Sequence, residues 1–167
     1  MTIDTLFGPV EVAAPKPRSI KFKTIKAVYE TLTVKEEIGD YLRPNTQYTS
    51  SSQVFDTFSF LQEETKEYFL ALHLDGKNRV ICVDMISSGS LNQSIVHPRE
   101  TFKTALLSSA AAIILMHNHP TGDPTPSQED IQITRRLIEA GELLGIKVLD
   151  HIIVGDHHYS FVEGGII

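Results

Sequence analysis

The chain has 167 residues, 41% apolar and 22% charged, with a net charge of −6, the make-up of one globular domain able to bury about two-thirds of its unfolded surface. Its single cysteine, Cys82, excludes an intrachain disulfide and any multi-cysteine metal site, and reads as a small core residue. No stretch approaches the roughly twenty apolar residues that span a bilayer, so no membrane partner is expected, and the acidic balance argues against a chain-wide nucleic-acid surface.

The opening segment MTIDTLFGPVEVAAPKP lacks the basic start and long apolar run of a signal peptide, so a cytoplasmic location is expected. Residues 1–26 carry Lys16, Arg18, Lys21, Lys23 and Lys26 against Asp4 and Glu11, a local excess of three positive charges. Two readings stay open. The lysines line a solvated strand edge, where they deter aggregation, or they support weak association with nucleic acid or an acidic partner. Residues 1–48 are expected to form an arm, Pro-rich at 9–17, and strands packing on a domain of residues 49–167.

Within the arm, IKFKTIKAVYETLTV alternates and is β-branched, suggesting one or two strands. SSSQVFDTFSFLQEE opens with serines that can cap a helix, and Val54, Phe55, Phe58 and Leu61 make one apolar stripe. EYFLALHLDGKNRVICVDMIS reads as a hairpin turning at Asp75-Gly76-Lys77-Asn78, and GSLNQSIV as a loop and a short strand. Pro98 suits the first position of a helix whose buried face is expected to hold Phe102, Ala105, Leu106 and Ser109. A strand at 111–116, a helix from about 126 to 144 and a closing hairpin at Gly155-Asp156 follow. The alternation predicts an α/β domain, a mixed sheet layered with helices.

AAAIILMHNHPTGDPTPSQEDI, residues 110–131, carries the chemistry. Residues two apart on a strand share a face, so His117 and His119 project together and Asn118 turns away. Two adjacent imidazoles suit a core poorly unless something satisfies their nitrogens, and a shared metal does so. Three prolines stiffen the following loop. Thr125 is expected to cap the next helix, with Pro126 first and Gln128 in the capping-box position. Asp130, Ile133 and Leu137 then share its inward face. A carboxylate turned toward a core is costly unless paired or metal-bound. Two His and one Asp leave a fourth tetrahedral position for water, as in catalytic zinc sites. The competing reading makes Ser127 the N-cap, Asp130 a residue favourable near the helix dipole, and the histidines polar strand ends.

Zinc makes water nucleophilic near neutrality, but a base must take and return its proton. Glu67, heading an apolar strand, is the best candidate. Glu63 and Glu64 read as solvated, and Glu100 as a first-turn residue facing the helix dipole. His151 alternates onto a strand face near the site, as a partner of the ligands or as core. His97 reads as a loop or capping residue, His73 as packed in its strand, and His157 and His158 as solvated turn residues.

His117, His119, Ser127 and Asp130 together match the JAMM motif (His-x-His, seven residues, Ser, two residues, Asp) of the JAB/MPN metalloprotease superfamily. HNHPTGDPTPSQEDI, LLGIKVLDHIIVG and LNQSIVHPRE resemble the RadC family within it, over about residues 50–163. That resemblance implies zinc on His117, His119 and Asp130, with Ser127 stabilising the oxyanion and Glu67 as catalytic base. It further implies the cytidine-deaminase-like α/β sandwich of MPN domains. Longer RadC proteins add an N-terminal helix-hairpin-helix DNA-binding region for which this chain has no room, and the family name is linked to DNA repair.

The leading expectation is a zinc-dependent hydrolase of peptide or isopeptide bonds in a protein or peptide substrate. A metal-dependent nuclease, a DNA-repair accessory protein and a non-catalytic binding module are the alternatives. HNH here is three consecutive residues and not the dispersed triad of HNH endonucleases, and a zinc deaminase lacks its Cys pair. Substrate, specificity (from loops such as 87–94 and 120–125) and oligomeric state are left open.

Overall fold

The computed structural model describes residues 28–29, 47–89 and 96–167. The basic residues of 1–26, the strand reading of 20–34 and most of the loop at 89–96 lie outside the described residues. Helix α1, Ser51–Phe58, starts where the Ser50 hydroxyl accepts from the Gln53 amide at 3.3 Å. It then tightens into a 3₁₀ turn, Ser59–Glu63. Val54, Phe58 and Leu61 are buried along this stretch and Phe55 packs beside them, as the apolar stripe requires.

Strands β1, Tyr68–Leu74, and β2, Val80–Ser88, form the expected hairpin. Its turn is held by the Asp75 carboxylate, which accepts from the amides of Lys77 and Arg79 at 2.8 and 3.0 Å. Helix α2, Pro98–Leu107, is capped by His97, whose Nδ1 accepts from the Arg99 amide. Thr101, Phe102 and Ala105 form its buried face, whereas Leu106 and Ser109, also expected there, are exposed. Leu106 lies a third of a turn from Ala105. Ser109 lies past the helix end, at φ 56°, where helical spacing no longer applies.

Strand β3, Ala112–Asn118, helix α3, Gln128–Leu144, and strands β4, Lys147–Val154, and β5, His158–Ser160, complete the described fold. The sheet order is β2-β1-β3-β4-β5. β1 runs antiparallel to β2 and β3; β3 and β4, joined through α3, are parallel; β4 and β5 form a hairpin. The sheet is therefore mixed and the domain α/β, as predicted. α1 and its 3₁₀ turn cover one face through Leu70, Leu72, Ile114, Met116 and Ile152. α2 and α3 cover the other through Phe69, Ala71, Ile113 and Leu115. His117 continues that second series, because alternate residues share a face.

A bulge in β4 decides what joins it. Ile113 pairs with Val148 but Ile114 pairs with Asp150, so Leu149 is an extra residue and the alternation reverses after it. His151 thereby pairs with Leu115 and shares the face of His117. His158, expected in a solvated turn, instead lies in β5, half-buried, stacked on Phe55 with ring centres 5.0 Å apart. The β5 strand carries the chain past the turn and lays that ring against α1.

Candidate metal centre

Three elements meet at the site. β3 ends in the buried His117, the chain leaving it presents His119, and the first turn of α3 presents Asp130, 5% exposed. His117 Nε2 and His119 Nε2 are 3.0 Å apart. Asp130 Oδ1 lies 3.3 Å from the first and Oδ2 3.5 Å from the second. One ligand atom from each residue falls within 4.8 Å of the others, so the group could hold a metal ion.

The α3 cap differs from the expected one. Ser127, and not Thr125, is the N-cap, and the helix begins at Gln128. The Thr125 amide and hydroxyl are both bonded to Asp123 Oδ1, at 2.9 and 2.6 Å. Pro126 also disfavours helical backbone at Thr125. The Ser127 hydroxyl accepts from the Asp130 amide at 3.1 Å and donates to Asp130 Oδ2 at 2.6 Å, while the Ser127 amide donates to the same oxygen at 2.8 Å. Ser127 and Asp130 are thus a capping box, and that box aims the carboxylate at the histidines. Asp130 closes a helix end and faces the imidazoles at once.

The electrostatics follow from this packing. Burial pushes the Asp130 carboxyl up, but the adjacent His117 and His119 imidazoles and the hydrogen bond from Ser127 outweigh it and hold the group well below the usual carboxylate range. Burial dominates at His117 and lowers it against the pull of Asp130. His119, less buried, is raised chiefly by the adjacent Asp130 carboxylate. The Glu67 charge acts on both imidazoles in the direction of raising them. Glu67 is half-buried and immediately precedes β1, two residues before Phe69, which pairs with His117.

The backbone around Glu67 is held by a residue that sequence reasoning left unused. Asn118, fully buried, accepts from the Tyr68 amide at 2.7 Å and donates to the Lys66 carbonyl at 2.9 Å, bracketing Glu67. The Glu67 carbonyl in turn accepts from the Gly89 amide at 2.8 Å. A buried Asn needs partners, but nothing in the chain order named residues some fifty positions away. His151 is also in the site: its Nε2 is 2.8 Å from His117 Nδ1, and its Nδ1 is 2.6 Å from Thr134 Oγ1. Thr134, four residues after Asp130 on the buried face, carried a signal in its helical spacing that went unread.

The loop between His119 and Asp130 is clamped. His119 Nδ1 bonds the Asp123 carbonyl at 2.7 Å, and the Asp156 amide donates to the Gly122 carbonyl at 2.7 Å. Gln62 reaches across from the 3₁₀ turn to the Gly155 carbonyl at 2.6 Å. A Cβ on Gly155 would stand 2.3 Å from the Gly122 carbonyl oxygen, so only glycine allows this approach.

A RadC-like JAB domain model matches residues 48–166. The chain belongs to the RadC-like JAB domain family. Relatives of this RadC-like domain include UPF0758 proteins from Pelobacter propionicus, 66% identical over 131 residues, and Methanosarcina mazei, 46% identical over 140. The matches take in 77% and 83% of this chain but 57% and 60% of those proteins, so the RadC-like chain spans little over half of their length. Two buried or half-buried imidazole nitrogens and a carboxylate held ionised are a donor set that zinc accepts, so the residues present fit the metal. Among the described residues no helix is long and apolar enough to cross a membrane.

Proposed function

We propose that this domain is a zinc-dependent hydrolase of peptide or isopeptide bonds in a protein or peptide substrate. His117, His119 and Asp130 would hold the metal, and Glu67 is the general base. The observation that carries this reading is the convergence of two imidazoles and one carboxylate within 4.8 Å, a donor set of the kind that holds a catalytic zinc. Bound zinc supplies a Lewis acid and lowers the pKa of water toward neutrality.

The chain's own residues supply the rest. Glu67, whose charge reaches both imidazoles, takes a proton from the attacking water and returns it to the leaving nitrogen. Ser127 turns its hydroxyl proton from Asp130 to the carbonyl oxygen as negative charge develops there. Its amide remains on Asp130 Oδ2, so the carboxylate stays aimed while the hydroxyl is away.

The test is metal content together with cleavage of a peptide and isopeptide panel. Purified protein is expected to hold about one zinc per chain. His117→Ala is expected to lose both metal and cleavage. Glu67→Gln is expected to keep the metal and lose about 10²–10⁴-fold in rate. A metal-free wild type of unchanged stability would end the proposal, as would cleavage indifferent to Glu67→Gln. Plasmid DNA assayed in parallel separates the substrate classes: Glu67-dependent nicking without peptide cleavage makes the same centre a nuclease.

A further inference from the structure

We infer that His151 and Thr134 are positioning residues that set the tautomer of His117, closing a hydrogen-bonded loop between two of the three proposed metal ligands. The inference rests on the metal reading above and adds two residues to it.

The argument starts at a group with no freedom. The main-chain carbonyl of Asp130 can only accept a hydrogen bond, so Thr134 Oγ1, 2.5 Å away, donates its one hydrogen there. The same oxygen lies 2.6 Å from His151 Nδ1 and, its hydrogen spent, can only accept. His151 Nδ1 therefore carries a hydrogen. The ring is wholly buried, stacked on Phe161 at 4.7 Å and edge-on to Phe69 at 5.3 Å, and burial disfavours its charged form. A neutral ring has one hydrogen, so His151 Nε2 is bare. It is 2.8 Å from His117 Nδ1, which must then be the donor. A neutral His117 with its hydrogen on Nδ1 turns an Nε2 lone pair toward Asp130 and His119, as metal binding requires.

His119 reaches the same state by a separate route, because its Nδ1 faces the Asp123 carbonyl, another pure acceptor. The His117 route depends on the β4 bulge, which brings His151 onto the correct face. It depends also on Thr134 standing one helical turn after Asp130. Ligand and orienting group share a single helix, so displacing α3 disturbs both.

The experiment compares wild type, His151→Gln, His151→Leu and Thr134→Val. Zinc affinity is read by competition with a chromophoric chelator, and the His117 tautomer by long-range ¹H–¹⁵N ring correlations in zinc-free protein. His151→Leu is expected to weaken zinc about 10–100-fold and to mix the His117 tautomers. His151→Gln offers an acceptor to His117 and a donor to Thr134, so it restores affinity to within several-fold. Thr134→Val falls between. The inference is overturned if zinc-free, folded wild type shows His117 protonated on Nε2. It is also overturned if wild type binds zinc and the Leu variant binds within about twofold of it. A wild type that binds no zinc defeats the preceding proposal, while the tautomer spectrum still decides this one. If His151→Leu does not fold, the contrast between Gln and Val variants serves: equal zinc affinity and unchanged spectra in all would overturn it.

Discussion

At the scale of single residues, Asn118 shows how one strand position serves two faces. Its neighbours His117 and His119 look toward α3, while its own amide looks the other way and holds the backbone on both sides of Glu67. Asn118→Ala would remove the hydrogen bonds to the Lys66 carbonyl and the Tyr68 amide, each worth about 0.5–1.5 kcal/mol. On the proposed reading the expected outcome, measured by urea denaturation and metal analysis, is a destabilised domain that still binds zinc but has lost the placement of Glu67. An Asn118→Ala protein as stable as wild type would show that water replaces the amide. Ser127 and Asp130 make a related point. A capping box fixes the rotamer of its acidic member, and a fixed rotamer is what a metal ligand needs.

At the scale of elements, two turns carry testable weight. In the β1–β2 turn, hydrogen bonds from the Arg79 guanidinium and from the Arg79 and Lys77 amides hold the Asp75 carboxyl at about 2. A carboxyl depressed in the folded state adds stability that is complete above its ordinary value of 3.8 and is lost as pH falls toward about 2. Asp75→Asn is therefore expected to lower stability at neutral pH and to flatten the pH dependence in that acidic window, read by denaturation at stepped pH. An unaltered slope would assign the acid sensitivity to other carboxylates. At the β4–β5 turn, Gly155→Ala forces a methyl against the Gly122 carbonyl and Pro124. Overpacking of this kind costs about 1–3 kcal/mol. Because the displaced segment carries His119, metal affinity is expected to fall together with the melting temperature. Stability lost without any change in affinity would mean that the loop relaxes away from His119.

At the scale of the whole molecule, the centre ties three parts of the chain: a strand end, a proline-stiffened loop and a helix start. A ligand gripping all three is absent from the unfolded state, so it stabilises the domain by mass action, about 2.7 kcal/mol at a hundredfold excess over its dissociation constant. On the proposed reading, zinc raises the melting temperature in a concentration-dependent way and a chelator lowers it. His117→Ala removes the response. A melting temperature indifferent to both additions would count against a metal bridging these elements.

The element types were legible because their signals are local. Apolar strand-like runs marked the strands, the Val54–Leu61 stripe marked α1, and turn residues marked both hairpins. The cluster of His117, His119 and Asp130 was legible for the same reason, since a two-residue strand spacing and a helix-facing Asp130 lie within fourteen positions. What misled was competition among neighbours, as when Thr125, Ser127 and two prolines all suited a helix start and only the Asp123 turn selected Ser127. What stayed hidden was non-local. The extra residue at Leu149 aims His151 at His117, Asn118 reaches back about fifty residues to Lys66 and Tyr68 on either side of Glu67, and Gln62 crosses to Gly155. Sequence determines which side chains are available and which face each takes within its own element. Pairing register between elements is settled only when the whole sheet packs, and a one-residue shift there exchanges the faces on which this site is built.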